Sequence, residues 1–150
     1  MRLFIDTNII LEFIDHRNAY ESVRSILADI RDGKYEGFVS QGCVYTLAFL
    51  IERSLKARGI HKPEQTVQLR RLLMSILNML EVAGITREDM VRAVSNEDFT
   101  DIEDSFQYQC AVENRCDVLI TINNGDFREA DQRNLEVLTP MQFVEKYMTK

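Results

Sequence analysis

The chain has 150 residues, 45% hydrophobic and 28% charged, with a net charge of −6. That length suits one domain, residues 1–150, with a proper core. No apolar run approaches the ~18 residues of a membrane span. Asp6 interrupts the N-terminal apolar run of "MRLFIDTN", so a secretory leader is not expected and a cytoplasmic protein without membrane contact is. The negative charge argues against strong non-specific nucleic-acid binding. It does not exclude a nuclease, whose metal-binding carboxylates add negative charge of their own. Cys43, Cys110 and Cys116 form no CxxC, which argues against a disulfide framework or zinc site and leaves reduced buried thiols. His16 and His61 lie far apart without ligand spacing.

"RLFI" reads as a continuous apolar strand of the central parallel type. It runs straight into Asp6, which either caps a helix or belongs to a site, because an ionised carboxylate leaves water only at high cost unless paired or metal-bound. Ile9, Ile10, Phe13 and Ile14 keep helical spacing. Asn18 with Glu21 predicts a cap for a second helix. Val23, Ile26, Leu27 and Ile30 form that helix's inner face, and Gly33 ends it. "GFVS" is a second strand. After Ser40, the residues Val44, Leu47, Ala48, Ile51 and Leu55 are helical again. Pro63 suits the first turn of the next helix, whose stripe is Leu69, Leu72, Leu73, Ile76, Leu77 and Leu80.

"EVAGI" is the weakest strand because of Gly84. Thr86 with Asp89 makes a capping box for a helix through about Val94. Thr100 with Glu103 predicts another box, for a helix packing Ile102, Phe106 and Cys110 on one side. "DVLITI" is the fourth strand, "NNGDF" a turn, and "LEVL" the fifth strand. Thr139, Pro140 and Gln142 open the last helix. Strands alternating with helices imply an α/β fold, a parallel sheet with helices on both faces. The two helices within residues 40–80 are longer than a minimal crossover needs and suit an arm or wall beside the sheet.

In such sheets, sites form outside the carboxyl ends of the strands. Asp6 ends the first strand, Asn123 and Asp126 follow the fourth, and Asp101 and Asp104 open the helix leading into the fourth. Each acid alone has a bland reading as a cap or turn residue. Together at one sheet edge they would repel one another, and a hard cation such as Mg²⁺, which takes oxygen ligands and keeps waters, would relieve that. Gly-rich phosphate loops are absent. Asn8 stands where a haloacid-dehalogenase-like site would need a second Asp. "LTPMQF" lacks the lysine of a phosphoreceiver. Metal-assisted hydrolysis is the reading left.

"LFIDTNIILEF", "DFTDIEDSFQYQCA" and "LITINNGDF" resemble the three signature blocks of PIN domains, in order and spacing, over essentially the whole chain. The nearest type is the small bacterial toxin-like ribonuclease. The resemblance implies a three-layer sandwich with a five-stranded parallel sheet. It also implies an Mg²⁺- or Mn²⁺-dependent ribonuclease with one or two ions, and for some relatives a role as the toxin of a toxin–antitoxin pair. By position, Asp6, Asp104 and Asp126 match the catalytic, metal-binding acids, and Asp101 an additional one. Thr7 and Asn8 match the polar pair beside the first Asp, Ser40 the serine ending the second strand, and Asn123 the polar residue after the fourth.

One departure stands out. The family's usual glutamate on the helix after the second strand falls near Thr46 in "VYTLAFLIER". The nearest acid, Glu52, is six residues on, about 600° of rotation, and faces elsewhere. A second metal is thereby in question. A PIN-fold RNA- or protein-binding module with weakened turnover is the alternative, and a small-molecule phosphatase a third reading. Arg53, Lys56, Arg58, Lys62, Arg70 and Arg71 are the candidate RNA contact, or else a solvated helix face. The resemblance further implies a small antitoxin partner and a homodimer, and the stripe from Leu69 to Leu80 offers either a dimer face or core.

Overall fold

The computed structural model describes residues 1–149. In chain order the elements are β1 (Arg2–Ile5), α1 (Thr7–Ile14), α2 (Tyr20–Arg31), β2 (Glu36–Ser40), α3 (Gln41–Ala57), α4 (Glu64–Met79), β3 (Glu81–Ala83), α5 (Arg87–Ser95), α6 (Ile102–Glu113), β4 (Val118–Ile120), β5 (Glu136–Leu138) and α7 (Pro140–Phe143). A 3₁₀ turn, Asn124–Phe127, separates β4 from β5. The strands form one parallel sheet in the order β3-β2-β1-β4-β5. All five expected strands are present, and Gly84 falls just beyond β3.

β1 is central, and its side chains alternate between two cores. Leu3 and Ile5 join Val39, Val118, Ile120, the inner faces of α1, α2 and α3, and Phe143. Phe4 joins Phe38, Leu119, Val137, Phe99, Phe127 and the Cys110–Ala111 segment of α6. Burial on both faces explains why "RLFI" carries no alternation. The strand order reverses direction at β1, so the crevice at the carboxyl ends of β1 and β4 is a topological switch point. The three cysteines are free and buried. Among the described residues no helix is long and apolar enough to cross a membrane.

α2 ends in the predicted way. Gly33 has φ of 80°, its N–H reaches the Ile30 carbonyl, and the Lys34 N–H reaches that of Asp29, which is a Schellman ending. Its start differs from expectation. Asn18 does not cap α2; the Glu12 carboxylate on α1 accepts the Ala19 N–H at 3.0 Å, and the helix begins at Tyr20. Pro63 stands one position before α4 rather than inside its first turn.

The stripe of α4 is only partly enclosed. Ile76 and Leu80 are buried, Leu69, Leu72 and Leu73 are partly so, and Leu77 is exposed. α4 packs chiefly on α3 and also on α2.

The predicted box of Thr100 and Glu103 does not form. Asp101 caps α6 instead, accepting the Asp104 N–H at 3.1 Å, because a carboxylate one residue nearer the helix both caps it and complements its dipole. Nor is the buried face of α6 the apolar one expected. Cys110 is buried, but Ile102 is exposed, and Ser105 and Gln107 are buried. Ser105 donates to the Ala93 carbonyl at 2.6 Å, tying α6 to α5, while Gln107 is turned toward Asp6.

Candidate active site

Asp6 caps α1 and lies at the centre of the candidate site. It is 5% exposed and its backbone turns from strand to helix. Oδ1 accepts the Thr7 N–H at 2.8 Å and the Gln107 Nε2 amide at 3.0 Å, and Oδ2 accepts the Thr121 hydroxyl at 2.8 Å. Hydrogen bonds to a charged group are worth about 1.5–3 kcal/mol each, so three of them offset much of the cost of burying this carboxylate. A carboxylate offers about four acceptor positions, so Asp6 keeps capacity for one further partner.

Gln107 bridges two strands' ends. Its Oε1 accepts the Ser40 hydroxyl at 2.7 Å while its amide donates to Asp6. Ser40 in turn caps α3 by accepting the Cys43 N–H at 3.0 Å. Neither Gln107 nor Thr121 was among the expected site residues. Both left a signal. Gln107 lies three residues after Asp104, on the same face of α6. Thr121 follows Ile120, which pairs with Ile5, so it neighbours Asp6 across the sheet.

Asp104, in the first turn of α6, is pushed up to about 7 by burial first, and then by the carboxylates of Asp101, Asp6, Asp126 and Glu103. Glu103 is raised as well, by burial and by Asp6 and Asp101. The structure thus brings together Asp6, Asp101, Asp104 and Asp126, and adds Glu103. Among the described residues none of the five is ion-paired with a Lys, Arg or His.

The donor set is all oxygen and short of positive charge, which fits a hard divalent cation. Their side chains do not close on a point: among the described residues no three His, Cys, Asp or Glu groups are arranged to hold a metal ion. Asp126 and Asn123 are exposed on the turn after β4, where the Asp126 N–H bonds the Asn123 carbonyl at 3.1 Å.

The remaining expected residues fall as follows. Thr7 is buried, with its hydroxyl 3.4 Å from the Gln107 amide; Asn8 is exposed. Thr46 lines a cleft of about 470 Å³ beside the cluster, together with Ser40, Glu103 and Gln107, so a threonine does stand at the site's margin on α3. Glu52 is not part of that lining. Arg53, Lys56, Arg58, Lys62, Arg70 and Arg71 are all exposed on α3, α4 and their connection. Arg53 and Arg58 line a second cleft with Arg17. Arg53 lies thirteen residues along from Ser40, roughly 20 Å at helical rise.

A five-stranded parallel sheet with helices on both faces and acids gathered near its switch point defines the class, an α/β protein. The PIN domain family model matches residues 2–125, and the chain belongs to that family. No curated protein matches it in sequence. Among solved structures it is similar in fold to a chain of VapBC2 from Rickettsia felis, bound there to a DNA fragment from their promoter. The TM-score is 0.66 at 17% identity, covering 93% of this chain and 98% of that one.

Proposed function

We propose that the protein is a metal-dependent endoribonuclease, hydrolysing phosphodiester bonds of RNA at the cluster of Asp6, Asp104 and Asp126. The observation that carries this is the set of five neighbouring carboxylates without a basic partner, one of them pushed up to about 7. Asp6, Asp104 and Asp126 would hold Mg²⁺ or Mn²⁺, with Asp101 in support. A bound cation supplies charge neutralisation at the phosphoryl oxygens and a water of lowered pKa.

The chain's own residues do the rest. Thr7, Gln107 and Thr121 fix the Asp6 carboxylate in one orientation before substrate arrives, which is the preorganisation that catalysis needs. Asp104, its carboxylate repulsion offset by a bound cation, would stay ionised as a ligand. Asn123 offers an amide to water or substrate, and Ser40 locks Gln107. Single-stranded or structured RNA would extend along α3 toward the exposed cations Arg53, Lys56, Arg58, Lys62, Arg70 and Arg71. Those phosphate contacts would make binding salt-dependent. The fold likeness to the VapBC2 structure supports a small antitoxin protein as partner. The partly exposed stripe of α4 supports a homodimer.

Thr46 supports a second reading, a binding module that keeps the fold and binds RNA or protein without turnover. Cleavage of single-stranded RNA with Mn²⁺ or Mg²⁺ separates the two. The wild type cleaves, and Asp6→Asn and Asp104→Asn each lose at least a hundredfold. Cleavage that survives both substitutions removes the site. RNA binding without cleavage by a metal-loaded wild type selects the module.

A further inference from the structure

The cleft beside the acids has Ser40, Gln41, Thr46, Glu103 and Gln107 as its polar lining, and much of the rest is apolar, with the rings of Tyr45 on α3 and Phe106 on α6. Tyr45 is 70% exposed, so the core does not account for it. Two glycines also line the cleft. A Cβ on Gly84 would meet nothing within 4 Å, and one on Gly42 only the Ser40 hydroxyl at 4.0 Å. Neither has the positive φ that requires glycine, and Gly42 sits in a helix, where glycine is a poor choice. No close contact or positive φ calls for glycine at either position.

We infer that this cleft seats one unpaired base of the RNA strand, and that Glu103 selects guanine. The inference rests on the proposed nuclease reading only for the identity of the polymer. Single-stranded RNA is recognised by splaying bases onto aromatic rings. A flat, neutral base suits an apolar cleft of about 470 Å³, whereas a phosphate beside Glu103 would face like charge. The Glu103 carboxylate has no ion-pair partner among the described residues. Ionised, it is acceptor-only, with two oxygens. Guanine alone of the four bases presents two adjacent N–H donors, N1–H and the N2 amino group, to such a fork. Uracil has one imide N–H, and adenine and cytosine each present an amino group next to an acceptor.

Guanosine, adenosine, cytidine and uridine, which carry no phosphate, are titrated into the full chain in chelator while the Gly42 and Gly84 amide resonances are followed. Guanosine shifts both saturably and binds at least tenfold more tightly than the others. Tyr45→Ala, an exposed truncation, and Gly84→Val, which adds bulk to the cleft lining, each weaken it tenfold or more. Glu103→Gln removes the preference for guanosine and leaves weaker binding of all four. No response to any nucleoside overturns the base seat, including the case where an apolar peptide fills the cleft instead. Equal binding of all four to the wild type overturns the role of Glu103. Neither metal nor cleavage enters this measurement, so a protein that seats guanosine but never cuts RNA loses the nuclease reading alone.

Discussion

Asp6 ties the fold to the candidate site. It ends β1, caps α1, and holds its carboxylate at the edge of an acidic cluster through Thr7, Gln107 and Thr121. Gln107→Leu leaves Ser40 without its acceptor and Asp6 without one donor. Urea denaturation should show a loss of about 1–3 kcal/mol, with cleavage reduced more than tenfold. An unchanged midpoint and activity would mean the bridge is idle.

Asp104 carries a pH signature. In the folded chain it holds its proton up to about 7, against 3.8 ordinarily. The unfolded chain releases that proton first. From roughly pH 4 to 7 the folded state therefore binds more protons, and stability falls as pH rises through that window. Asp104→Asn removes this penalty. In chelator it should be more stable than wild type by about 1–2 kcal/mol at pH 8, after allowance for solvent screening, and little changed at pH 4.5. Denaturation at the two pH values checks this, and a variant less stable at pH 8 would contradict it.

At the scale of elements, caps and close approaches set where the site residues stand. Asp101→Ala should cost about 0.5–2 kcal/mol by uncapping α6, Asp101→Ser much less, and Thr100→Ala close to nothing. Chemical denaturation of the three distinguishes the observed cap from the one the sequence suggests. Gly37 in β2 is a packing glycine. A Cβ there would lie 2.5 Å from Leu80 Cδ2 and 2.9 Å from Ile30 atoms, so Gly37→Ala should destabilise by about 1–3 kcal/mol through overpacking.

The strands were legible because uninterrupted apolar runs such as "RLFI" and "DVLITI" mark strands buried on both faces. The capping boxes at Thr86 and Thr139 were legible because both partners lie within one turn. The face of α6 was not. Ser105 and Gln107 are buried by partners twelve and about a hundred residues away, and local periodicity carries no trace of such contacts. Asp6 and Asp126 were legible as residues following strands, and Asp101 and Asp104 as residues opening a helix. Gln107 and Thr121 left only a positional signal, since their contacts exist only once the sheet is assembled.

On the scale of the whole molecule, five carboxylates gather near the switch point of the sheet, while Arg53, Lys56 and Arg58 lie toward the far end of α3. A divalent cation that binds only the folded chain should stabilise it by about 2.7 kcal/mol at a hundred times its Kd, and a thermal melt with and without Mn²⁺ reads this directly. The most direct test of the proposed metal-binding site is calorimetric titration of Mn²⁺ into the wild type, Asp6→Asn and Asp104→Asn, with folding checked by circular dichroism. The wild type should bind, and each variant should bind at least tenfold more weakly. Undiminished affinity in both folded variants, or no binding by the wild type at millimolar Mn²⁺, would contradict a cation site at these carboxylates.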